Sequence, residues 1–170
     1  MKKLIISITL SLMLVAVLAA PAIADDNDDA GVEASVTVNE VVSISLTDAG
    51  ESGIDFGSVD TGTTNLGDVA QSDGTPAIQV VVEAETNVNV DIAVKGFIAS
   101  GDLTLENWKY SLTYAGTKAS LPAVWSTADY ENVGDGSYDF YHWLDVPADT
   151  TAGLKECYVY YKAVVTGDSF

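Results

Sequence analysis

The chain has no arginine, one histidine and one cysteine in 170 residues, and each scarcity removes a class of chemistry. A single imidazole, His142, excludes every site that needs two, including the HExxH zinc arrangement. A lone thiol, Cys157, closes no internal disulfide, so the fold must be held by its core. Neither GxGxxG nor GxxxxGK(S/T) occurs, which removes the common phosphate cradles, and no GxSxG elbow marks a serine nucleophile. There is no Asn-x-Ser/Thr glycosylation acceptor. Positive charge is scarcest of all. After Ala24 five lysines (Lys95, Lys109, Lys118, Lys155 and Lys162) face all 25 acids, a net charge of −20. Such a surface repels nucleic-acid phosphate and anionic headgroups. It also repels itself unless salt or bound cations screen it, so it reads either as salt adaptation or as a plain solubility device.

What the chain does have is strongly organised. Lys2 and Lys3, an uncharged apolar run from Leu4 to Ala20, and Ala22-Ile23-Ala24 ahead of Asp25 have the pattern of a cleavable secretory signal helix, residues 1–24. The run is long enough for a membrane anchor to be the alternative. No Cys follows it to carry a lipid and no second apolar stretch occurs. The expectation is therefore a secreted, extracellular or cell-surface protein whose mature part does not insert into a membrane. Removing 24 of 170 residues leaves 146, one domain with chain enough for a sizeable core. Residues 25–33, opening Asp25-Asp26-Asn27-Asp28-Asp29, are too charged to pack and read as a flexible leader. Residues 34–170 read as a single domain.

Period-two alternation dominates that domain. From Ala34 to Leu46, Val36, Val38, Val42, Ile44 and Leu46 share one face, with a bulge at Glu40-Val41. Ile78, Val80, Val82 and Ala84, then Val88, Val90, Ile92 and Val94, flank Glu85-Thr86-Asn87 and read as a hairpin. Further strands fit Trp108 to Tyr114, Ser137 to Leu144 and Leu154 to Val165, with short candidates at Ile54-Phe56 and Leu121-Trp125. Clusters such as Ser72-Asp73-Gly74 and Gly134-Asp135-Gly136 separate them. No helical period is sustained after the signal, although residues 102–109 fit one turn. The prediction is an all-β, antiparallel, immunoglobulin-like β-sandwich of seven to eight strands.

Few residues invite chemistry. His142 alternates with Tyr138, Phe140 and Leu144 and reads as a core or interface residue. Cys157 alternates with Val159, Tyr161, Ala163 and Val165 and reads as a small inward residue, with an intermolecular disulfide or a reactive thiol as alternatives. Both lie in expected strands, so the pair is not read as a catalytic thiol and base, and no catalytic residue or cofactor is assigned. Calcium is the one ligand that so many carboxylates suit. Residues 26–31 open like an EF-hand loop but place Ala30 and Thr37 where ligands are needed, and Asp129, Glu131, Asp135 and Asp139 offer a second set of oxygens. Tyr158 and Tyr160 share the face opposite Cys157, where aligned rings stack on sugars or dock a neighbouring subunit.

The succession Ile54-Asp55-Phe56-Gly57-Ser58-Val59-Asp60, Ile78 to Val82, Asn87 to Ile92 with Lys95-Gly96, Tyr110 to Tyr114, then Asp145-Val146-Pro147 with Ala152-Gly153 before the last strand, resembles exported β-sandwich surface or filament subunits of prokaryotes, the archaeal secreted set in particular. It is similar to spore-coat-U-like archaic pilins, and in setting to TasA-like fibre proteins and archaeal bundling pili. The chain departs from the pilins in lacking their early cysteines and their long alternating leader. The resemblance implies a non-enzymatic structural subunit of a cell-surface filament, pilus-like thread or sheath. It would be a homo-oligomer or polymer, in which a strand of one copy completes the sandwich of the next. The donor would be the strand of Val36, Val38, Val42, Ile44 and Leu46, whose other reading is an ordinary first strand; Tyr158 and Tyr160 are the candidate interface. The second expectation is an extracellular adhesion module for a surface glycan or calcium.

Overall fold

The computed structural model describes residues 35–48, 53–125 and 127–170. The residues read above as a signal helix (1–24), an acidic leader (25–33) and an EF-hand-like start (26–31) lie outside the described residues. Val38–Phe170 forms one compact unit. Within the described residues all regular structure is β: β1 (Ile44–Asp48), β2 (Leu66–Gly67), β3 (Ile78–Val82), β4 (Val90–Ser100), β5 (Trp108–Ser111), β6 (Ala119–Ser120), β7 (Tyr130–Val133), β8 (Gly136–Leu144) and β9 (Glu156–Val165). They form two antiparallel sheets. One has six strands in the order β1-β3-β8-β5-β6, with β2 also on β8; the other has three, β7-β4-β9. A single apolar cluster joins them, Ile78, Val80, Val82, Phe140 and Leu144 from the larger sheet against Val90, Ile92 and Val94 from the smaller. This is a sandwich-like all-β fold with the alternating residues turned inward, as the period-two pattern requires.

Three expectations are corrected. The segment 34–46 is not one strand: β1 begins at Ile44, and residues 35–43 belong to no strand. The alternation is met with burial only at Val42 and Ile44, which pack on the core. Second, β3 and β4 are not a hairpin. They lie in different sheets, and the residues between them cross from one layer to the other. Thr86 and Asn87 fix that crossing by bonding distant backbone: Thr86 Oγ1 accepts from Ser43 N at 3.0 Å, and Asn87 Oδ1 accepts from Val41 N at 2.8 Å. Third, 54–56 and 121–125 form no strand, while two-residue strands lie at β2 and β6.

Gly96 marks the closest approach of β4 to its covering loops. A Cβ there would stand 2.7 Å from Leu105 Cδ2 and 3.1 Å from Leu121 Cβ and Cδ1. Its N–H is held by the Pro122 carbonyl at 2.9 Å, so the strand has little freedom to retreat. Gly96→Val should therefore destabilise by about 1–3 kcal/mol through overpacking. The check is a lower urea midpoint at unchanged slope; an unaltered midpoint would show that Leu105 and Leu121 yield freely.

Candidate functional site

β9 carries the features that point outward from this fold. Cys157, Val159, Tyr161 and Ala163 pack on the core, which leaves Glu156, Tyr158, Tyr160, Lys162 and Val164 on the outer face. β9 pairs with β4 along ten residues, from Val90↔Val165 to Ser100↔Glu156. Its other edge has no strand partner among the described residues. A strand of that length with a free row of N–H and C=O groups is a template for another strand.

The start of β9, Glu156 to Tyr158, borders a groove of about 1080 Å³. One wall is the loop 54–61, the other is the approach to β9 over residues 150–158, and Leu103, Trp108, Leu144 and Val146 form an apolar floor. Both walls are pinned by carboxylates. The buried Asp68 accepts from Asp55 N at 2.6 Å, Ala70 N at 2.8 Å and Gln71 N at 3.1 Å. Asp102 accepts from Thr151 N and Oγ1, both at 2.8 Å, and pairs with Lys155 at 2.7 Å. The Lys155 ammonium, with Thr151 behind it, holds the Asp102 carboxyl far below its ordinary range. On the floor Phe56 meets the Trp108 ring edge-on at 5.6 Å. Trp108 Nε1 is the one buried side-chain donor without an acceptor among the described residues, a group whose desolvation is left uncompensated.

The candidate donor residues divide. Val36 and Val38 are 80% and 74% exposed, Val42 and Ile44 pack on the core, and Leu46 is exposed on β1, opposite Val80 of β3. The candidate interface residues Tyr158 and Tyr160 are 57% and 45% exposed, their ring centroids 6.4 Å apart. The β4–β9 register sets Phe97, 58% exposed, against Tyr158 and Lys95 against Tyr160. Lys95 Nζ stands 4.8 Å from the Trp125 ring and 5.5 Å from that of Tyr160. Reading β9 alone finds the tyrosines; their partners on β4 follow only from the register.

Cys157 is half-buried, and burial raises its thiol pKa. His142 is fully enclosed and its ring partner is Tyr161 Oη, at 2.7 Å, not Cys157. Burial pulls the imidazole pKa down to about 3, against a weaker upward pull from the Lys109 backbone. A neutral, dry imidazole bonded to a phenol is part of the core, and it does not activate the thiol. Of the four acids considered for calcium, Asp129 and Asp139 are bonded to different partners. Asp129 is held between the sheets by Tyr110 Oη at 2.6 Å and Val94 N at 2.8 Å, its carboxyl raised by burial, whereas Asp139 accepts from Gln79 Nε2 at 2.9 Å. Among the described residues no group of three or more His, Cys, Asp or Glu is placed to hold a metal ion.

No protein-family model matches the chain, and no curated protein or solved structure is significantly similar to it.

Proposed function

We propose that this chain is an exported, non-catalytic structural subunit that assembles with copies of itself into a cell-surface filament, thread or sheath by strand addition at β9. Its sandwich is read here as an immunoglobulin-like one that lacks a strand beside β9. The observation that carries the reading is a free ten-residue edge whose first residues border a groove with an apolar floor, in a chain whose own Val36 and Val38 lie outside any strand and exposed. A segment with alternate apolar side chains suits both: its main chain extends the sheet, while every second side chain enters the groove. Ile44 and Leu46 pair with β3, so truncation through Leu46 would also strip β1, and point changes are the cleaner probe.

The mature protein should elute at high mass and form fibres in negative-stain micrographs. Val36→Asp with Val38→Asp should cut the assembled mass more than tenfold. The melting temperature of the subunit should stay unchanged, because both side chains are solvated before assembly. A wild-type chain that stays monomeric at high concentration and in molar salt would sink the structural reading. Fibres from the double variant would sink strand addition by this segment.

A further inference from the structure

The two outer faces of the sandwich differ in how their charge is arranged. On the three-stranded sheet Lys95 and Lys162 stand mid-face among Phe97, Tyr158 and Tyr160, and neither lysine forms an ion pair among the described residues; the acids of that face lie towards its ends and edge, Glu156 held by Ser100, Asp91 by Asn132 N and Thr166, and Glu131 on β7. In a chain of net charge −18 two unpaired cations beside exposed rings are a localised exception. The outer face of β1, β3 and the first half of β8 is the reverse. It presents Ser45 with Glu83, Ser43 with Glu85 at 3.0 Å, and Gln79 with Asp139 at 2.9 Å. Residues 43–48, 78–85 and 136–140 contain no lysine.

We infer that the lysine–aromatic face of one copy docks on the acidic face of a second copy, the ammonium groups of Lys95 and Lys162 meeting the carboxylates of Glu83, Glu85 and Asp139. This goes beyond strand addition and rests on the same reading of the chain as self-associating. The contact is heterologous: each copy keeps one face free, so association continues in one direction. Net like charge opposes approach at long range, but at physiological ionic strength screening acts beyond about 8 Å and leaves the apposed charges in place. Ten residues on each of β4 and β9 and the four of β7, at about 3.3 Å per residue and about 4.8 Å between strands, cover roughly 380 Å², short of the ~800 Å² per partner of a stable complex. The contact is accordingly weak.

The test is made in the Val36→Asp, Val38→Asp background, where strand addition is removed, by sedimentation equilibrium at 0.15 M salt. That background should self-associate weakly. Adding Lys95→Glu with Lys162→Glu should raise the dissociation constant at least tenfold, and so should adding Glu83→Lys with Glu85→Lys. All four changes in one chain leave the net charge unaltered and should restore association to within about threefold. An equal mixture of the two half-reversed chains should regain association, the two chains alternating in equal proportion. Absence of self-association in the background overturns the inference, as does association that persists after either reversal or stays lost when the four are combined. Lys95-dependent binding of soluble cellulose or chitin oligosaccharides without self-association would also overturn it, because the face would then belong to a glycan. Loss of the wild-type fibres in the Val36→Asp, Val38→Asp variant tests strand addition, and the charge reversals within that variant test face docking, so the two proposals can fail independently.

Discussion

Phe140→Ala should lower the unfolding free energy by about 3–5 kcal/mol, the range for emptying a buried phenylalanine site. Phe140 is wholly buried, and its ring is met by Tyr161 at 4.9 Å, Tyr130 at 5.6 Å and Tyr110 at 6.3 Å. Two of those contacts are edge-on, and such pairs add about 0.5–1.5 kcal/mol beyond area. The three tyrosines cannot collapse into the space, because their hydroxyls are tied: Tyr110 to Asp129 at 2.6 Å, Tyr130 to the Asp139 carbonyl at 2.9 Å, Tyr161 to His142 at 2.7 Å. Against the roughly 5–15 kcal/mol of a typical domain, the loss is a fifth or more. Phe97→Ala is the control, since that ring is mostly in water, and should stay within about 0.5 kcal/mol in the unassembled subunit. Urea unfolding monitored by tryptophan fluorescence reads both; a cost below about 1 kcal/mol at Phe140 would remove it from the centre of the core.

The strands that the sequence made legible are those whose apolar alternation is rewarded by burial along their whole length. Ser137 to Leu144 and Leu154 to Val165 come within two residues of β8 and β9. Alternation misleads at the N-terminal end, because Val36 and Val38 continue the rhythm of Val42 and Ile44 without a neighbouring strand to pair with. It misleads again at residues 85–87, where a connection of hairpin length crosses between sheets. The deciding contacts, Thr86 to Ser43 and Asn87 to Val41, span more than 40 residues, and no local window contains them. Strands β2 and β6 are two residues long and give no periodic signal. The candidate site divides the same way. Tyr158 and Tyr160 are visible in the alternation of one strand, whereas Phe97 and Lys95 join them through register. The groove is assembled from loops about 90 residues apart, so no local pattern could announce it.

Acidification should destabilise this protein first through its single histidine. In the folded chain the His142 imidazole is neutral down to about pH 3, against an ordinary 6.5. The unfolded chain therefore binds a proton that the folded chain refuses. The resulting stability is fully present above about pH 6.5 and is lost as the pH falls towards 3, at about 1.4 kcal/mol per pH unit. Over the whole interval that is roughly 5 kcal/mol, an order-of-magnitude figure for one buried group. Asp91 and Asp145, whose carboxyls are lowered, the first by the Asn132 N–H, the second by the Lys109 ammonium and the Asn65 N–H against the opposing effect of burial, add to the loss only below about pH 4. Asp129, raised by burial, works in the opposite sense: its contribution is fully present at low pH and is lost as the pH rises through its folded value. Between pH 6.5 and 4.5 the difference in slope between the wild type and a variant without the imidazole should then belong to His142, because Asp129 contributes alike to both. His142→Gln offers Tyr161 an acceptor that does not titrate. It should be less stable than the wild type at pH 7, lose less stability on going to pH 4.5, and approach the wild-type curve there. Equal slopes for the two proteins over that window would show that the imidazole gains its proton in the folded state, and would place it in contact with water.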